Sequence, residues 1–313
     1  MKHAVLVLAI VVAGCATETT DENIASDVAP LVDVAAAQEL LYPDAAPPAT
    51  CMTRTGAARV TCLISQRYAS DPTARDTALD FFRTTGGVAG VLRAETYNGG
   101  YRGSIRLVPA LPAGTRRRHL VWATDALADI DVFLRALQKP MRYRWRGLNL
   151  AFFESISRTT PSAFTTDRAW TLHYNVVGSL NSSEAAVRET IFHELFHLND
   201  WGQQDWSARV LAPIVAGIIA RCGTDRACLA PYTPTDVVVT GGTYYAFQPG
   251  PPTALEYAAE LAVRYQAEEQ ARIDGRTFAK PPFKCGPPEN ARAWQLIVDT
   301  FFGGADLVPS CPR

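Results

Sequence analysis

The residues with the most distinctive chemistry stand in one run, Glu189-Thr190-Ile191-Phe192-His193-Glu194-Leu195-Phe196-His197. His193 and His197 are four apart. Four residues advance a helix by about 400° and 6 Å, so both imidazoles leave the same face, one turn apart. From there they can reach a single Zn2+ at about 2.0–2.1 Å. Glu194 projects beside them, close enough to take a proton from a water on the metal. A His-Glu-x-x-His run on a helix therefore predicts a zinc ion with a general base at its side.

A catalytic zinc takes three protein ligands and keeps a position for water, so one ligand has to come from elsewhere in the chain. Asp200 and Asp205 are close in sequence but fall at or just past the predicted helix end. The stronger candidate is downstream, in Leu255-Glu256-Tyr257-Ala258-Ala259-Glu260-Leu261-Ala262. Glu256 and Glu260 share one face of an otherwise apolar, alanine-rich helix, and a carboxylate pair there calls for a partner. The expectation is that Glu256 binds the metal. Glu260 would accept the free ring N–H of a liganding histidine, which fixes the imidazole tautomer. The two roles could also be exchanged. A plainer alternative stays open: Thr253-x-x-Glu256 has capping-box spacing, and Glu260 and Arg264 have the spacing of an intrahelical ion pair.

The elements that must position these groups follow from local pattern. Asn181-Ser182-Ser183-Glu184 has the Asn-x-x-Glu spacing of a helix start, and the helix runs through Ala186, Ile191, Leu195 and Leu198 to Gly202. Residues 169–177 (AWTLHYNVV) alternate and are rich in aromatic and β-branched types, a strand pattern. Residues 101–108 and 148–153 have β composition as well. Further helices are predicted over 34–41, 71–82 (stopped by Gly86-Gly87), 206–221, 253–272 and 291–302. One more is capped by Thr124 or Asp125 and broken at Pro140. Pro249-Gly250-Pro251-Pro252 reads as a turn. The fold class is α+β: a small mixed sheet, a site helix and a helical C-terminal part. The Arg116-Arg117-Arg118 run reads as a solvated loop, open to acidic partners.

The chain start decides the compartment. Met1-Lys2-His3, the short apolar run 4–12 and Ala13-Gly14-Cys15 make a secretory leader, too short to span a bilayer. Ala-Gly-Cys resembles the lipobox of bacterial lipoproteins. That resemblance implies lipidation at Cys15 and a lipid-anchored protein of the cell envelope. Ala16 next to it, in place of aspartate, implies the outer membrane. The organisation expected is a signal peptide over 1–14, an acidic flexible tether over 15–48 and one domain over 49–313. Six other cysteines suit disulfides in an exported chain, and proximity favours Cys51–Cys62, Cys222–Cys228 and Cys285–Cys311. With 30 Lys+Arg against 31 Asp+Glu there is no basic excess for phosphate, so no nucleic-acid partner is expected.

His193-Glu194-x-x-His197 followed by Glu256-x-x-x-Glu260 resembles the gluzincin arrangement of zinc metallopeptidases. Glu-Tyr-Ala-Ala-Glu-Leu-Ala is similar to the ligand helix of the anthrax lethal factor type of catalytic domain. Two sister branches do not fit. Asp200 and Gln203 stand where one branch has Gly and His, and no Asp follows Gly242-Thr243 as another requires. The resemblance implies a zincin-like domain hydrolysing peptide bonds in a peptide or protein substrate. It also implies a tyrosine facing the metal from just before the ligand helix, either Tyr244 or Tyr245, with Tyr245 the nearer match. Residues 169–177 would line the cleft and pair with an extended peptide, and His173 on that segment is read as structural. The rival expectation is a degenerate zincin, a non-catalytic envelope lipoprotein that serves as a scaffold or binds partners. A third keeps zinc and catalysis but attacks a non-peptide amide.

Overall fold

Short polar side chains set the helix starts. Asp33 accepts from the amides of Ala35 and Ala36 and opens α1 (Val34–Leu41). Asp71 accepts from Ala74 and opens α4 (Pro72–Thr85), which Gly86 ends in the left-handed conformation at φ 76°. Between them lie α2 (Ala49–Met52) and α3 (Gly56–Arg67). The computed structural model describes residues 33–166, 170–239, 241–248, 253–278 and 280–312. The leader, Cys15, the acidic stretch to residue 32, Ala169 and the 249–252 turn lie outside them.

The expected tether is shorter than the sequence reading made it. Leu41 is fully buried, and α1 lies against α3 and the first strand. Gly90 permits this closeness, because a Cβ there would sit 2.4 Å from the Leu40 carbonyl oxygen.

The strands are β1 (Ala89–Val91), β2 (Glu95–Asn98), β3 (Ser104–Pro109), β4 (Asn149–Ser155), β5 (Ala163–Thr166) and β6 (Thr171–Asn175). Their order is β2-β3-β4-β6-β5, with β1 pairing the first half of β4 on the edge whose second half takes β3. β4 runs parallel to β1 and β6; the other pairs are antiparallel. The period of two sorts β4 residues by face. Leu150 and Phe152 join the main core against the helices; Ala151 and Phe153 join Leu92, Ile105 and Leu107 in a small core behind the sheet. The sheet curls enough for Tyr97 on β2 to meet Phe164 on β5, with ring centroids 5.2 Å apart.

Two expectations are corrected here. Residues 169–177 do supply a strand, but β6 is internal, flanked by β4 and β5, so it offers no edge to a peptide. On that side of the sheet the edge strand is β5. The arginine run is no solvated loop: α5 (Arg117–Ala136) starts there, seven residues before Thr124. Arg116 pairs with Glu154, Arg117 lies 3.3 Å from Asp71, and Arg118 sits over the Trp122 ring. Each charge has a partner, so the helix can begin among them.

The remaining helices are α6 (Glu184–Gly202), α7 (Ala212–Cys222), α8 (Arg226–Leu229), α9 (Thr253–Ile273) and α10 (Pro288–Phe301). The expected helix over 206–221 opens instead as a π-helical turn, Ser207–Leu211, before Pro213 in the first turn of α7. Disulfides join Cys51 to Cys62, Cys222 to Cys228 and Cys285 to Cys311, the pairs that proximity favours. Among the described residues no helix is long and apolar enough to cross a membrane.

Candidate metal centre

The centre is built on α6. Ser183 caps the helix, accepting from Ala186 at 3.3 Å. Asn181, the expected cap, instead bridges the carbonyls of Ser162 and Asn175 at 2.7 and 2.8 Å and secures the loops around β5. From Thr190 to Asp200 every α6 residue is buried, because β5 and β6, α5 and α9 all pack on it. His193, Glu194 and His197 are therefore held in protein, 8, 9 and 6% exposed.

Across from them, α9 presents Glu256 and Glu260. The Nε2 atoms of His193 and His197 are 3.0 Å apart. Glu256 Oε2 lies 3.2 Å from the first and 3.7 Å from the second. A tetrahedron with bonds of about 2.05 Å has edges of about 3.3 Å, and these three separations bracket that value. Two imidazole Nε2 atoms and a carboxylate oxygen converge on one point. Glu256 Oε2 is buried without a hydrogen-bond partner. The donor set and spacing could hold a metal ion between His193, His197 and Glu256. Among the described residues they are the one such group.

Glu260 Oε1 stands 3.0 Å from His193 Nδ1, on the side of the ring away from the three converging atoms. Its other oxygen accepts from the Thr235 hydroxyl. The plainer alternatives are absent: Arg264 pairs with Glu268 at 2.6 Å, and Glu256 turns toward the imidazoles. Asp200 is fully buried and takes the Ser207 amide and hydroxyl, both at 2.7 Å, while Asp205 is exposed. Neither joins the group.

Electrostatics follow from burial and these neighbours. Burial pushes the Glu256 carboxyl up, but the two imidazoles overcome it and hold the group below the usual carboxylate range. Burial pushes Glu194 up, and the same imidazoles only partly oppose it. The Thr165 hydroxyl, on β5, reaches Glu194 Oε2 at 3.4 Å. Burial, then the Glu256 and Glu194 charges, raise the Tyr245 phenol well above its ordinary value, so it stays a donor. It contacts Glu256, and its ring centroid is 5.8 Å from His193. Tyr244 turns the other way, beneath the Arg226 guanidinium. His173 stacks on Phe164 at 4.5 Å, and burial lowers its pKa to about 4.

Sequence reading missed Thr165 and Thr235. Neither sits at a telling spacing; only folding brings them to the glutamates. No family model matches the chain, and no curated protein or solved structure does.

Proposed function

We propose that the chain is a zinc-dependent, gluzincin-type peptidase, exported and anchored to the envelope through a lipid on Cys15. The observation that carries this reading is the near-tetrahedral triangle of His193 Nε2, His197 Nε2 and Glu256 Oε2 with Glu194 on the next position of the same helix. The leader and the three disulfides support export.

Zinc supplies Lewis acidity and brings the pKa of an attacking water toward about 7. Glu194, its carboxyl raised by burial, takes that water's proton and passes it to the leaving amine. The Tyr245 hydroxyl donates to the oxyanion as it develops. An extended peptide pairs with β5. Asn175 N–H donates to the Ser162 carbonyl, so the alternation of an antiparallel ladder turns the N–H and C=O of Ala163 and Thr165 outward. Those free groups lie on the strand that touches Glu194, which sets the peptide beside the base.

The test is Glu194→Gln in the purified protein, read by metal analysis and by cleavage of an unstructured protein. Zinc content stays at one per chain and turnover falls by about 10²–10⁴. A variant that cleaves at the wild-type rate refutes the mechanism. Zinc without cleavage in the wild type favours the scaffold reading.

A further inference from the structure

The segment carrying Tyr245 is a small hairpin outside the main sheet. Tyr245 N–H donates to the Val237 carbonyl at 2.8 Å and Val239 N–H to the Thr243 carbonyl at 3.0 Å, with Val238 bridging Tyr244. At its turn Gly241 and Gly242 take φ of 113° and 110°, which side chains rarely adopt. Both legs are fastened to the metal centre. The later leg ends at Tyr245, on Glu256. The earlier leg begins after Thr235, whose hydroxyl donates to Glu260 Oε2. Thr235 is itself held, its carbonyl accepting from the Thr233 hydroxyl at 2.7 Å.

Glu260 is 6% exposed, and the Thr235 hydroxyl is the protein donor to its Oε2 among the described residues. A carboxylate end group turns about a soft torsion. With Oε2 tied, Oε1 is left facing His193 Nδ1 at 3.0 Å, which keeps that ring's Nε2 lone pair on the metal side. We propose that Thr235 is a positioning residue of the zinc centre, setting the Glu260 carboxylate that orients His193 and tying the hairpin to that ligand. The proposal rests on the zinc reading of the site. It makes the hairpin and the imidazole one mechanical unit.

The experiment measures zinc affinity by competition with a chromophoric chelator, for wild type, Thr235→Val, Thr235→Ser, Glu260→Gln and His197→Ala. Melting of each metal-free protein is followed in parallel. Losing an outer partner of a liganding histidine costs about 10–100-fold in affinity. Thr235→Val and Glu260→Gln are both expected in that range and Thr235→Ser within about threefold of wild type, each metal-free variant still melting cooperatively above the assay temperature. Wild-type affinity in Thr235→Val beside a weakened Glu260→Gln overturns the role of Thr235 and leaves the zinc reading standing. Equal losses in the Val and Ser variants overturn it too, since the hydroxyl is then not what positions Glu260. Undiminished zinc in His197→Ala overturns the site and the inference together.

Discussion

Glu256 and Glu260 are the same residue type on one face of one helix, yet their surroundings separate them. Glu256 points an unpartnered oxygen between two Nε2 atoms; Glu260 meets the far nitrogen of one ring and a hydroxyl. The difference predicts unequal consequences. On the proposed zinc reading, Glu256→Ala removes one of three direct ligands, and Glu260→Ala removes only the support of one. Free zinc at a hundredfold excess over its Kd stabilises the folded chain by about 2.7 kcal/mol. A chain of this size gains roughly 2–4 °C per kcal/mol, so wild type should melt roughly 5–10 °C higher with zinc than after chelation. In Glu256→Ala that rise disappears at the same zinc concentration, while in Glu260→Ala it returns when zinc is raised about 10–100-fold. A full rise in Glu256→Ala removes it from the ligand set. His193, His197, Glu256 and Glu260 are legible in the sequence because helix periodicity is local: a spacing of four fixes a shared face before any tertiary contact forms. Thr165 reaches Glu194 and Thr235 reaches Glu260 across 29 and 25 residues of chain, which no short-range pattern encodes.

At the scale of elements, the periodic helices and the strands β3, β4 and β6 are readable, and the shorter strands β1, β2 and β5 are not. Residues 253–272 and 34–41 were expected as helices, and α9 and α1 coincide with them within a residue. β5 has four residues of half-buried, mixed character, so nothing marked it as a strand. Missing it left β6 as the apparent edge. α5 was shortened because three successive arginines read as solvent-facing when their partners, Asp71, Glu154 and Trp122, lie elsewhere in the fold. The exchange of β6 for β5 gives a prediction of its own. The Thr165 N–H points outward, so Thr165→Pro deletes a donor without breaking a ladder bond, and proline is tolerated on edge strands. The protein should fold and bind zinc as before, with kcat/KM toward peptides reduced roughly tenfold, the worth of one hydrogen bond. Thr165→Val keeps the N–H and isolates the contribution of the hydroxyl near Glu194. Unchanged kcat/KM in the proline variant would move the peptide off this edge.

Taken whole, α6 and α9, the two helices that carry the candidate metal centre, pack on each other within one hydrophobic core. α6 packs on the sheet, α5 and α9, and α9 also meets α7, α10 and the C-terminal segment. That segment is fastened to α9 and its surroundings by the Cys285–Cys311 bond, by Lys284 on Asp306 at 2.7 Å and by the Tyr265 hydroxyl on the Ala305 carbonyl at 2.8 Å. Glu269 completes the clamp. It is fully buried on α9, and both its oxygens face the Leu307 amide at 3.1 and 2.9 Å. Burial, chiefly, raises its pKa from 4.5 to about 7; Asp306 adds to the rise, and the backbone amides and Lys284 oppose it. The folded state therefore holds a proton that the unfolded chain releases near 4.5. The stability this provides is complete below about pH 4.5 and is lost as pH climbs to about 7. Glu269→Gln cannot ionise, so its melting temperature, measured on metal-free protein from pH 4 to 8, should decline less across that window than wild type's. Parallel curves would mean that Glu269 is already charged at the low end and that the clamp holds α9 without any help from a proton.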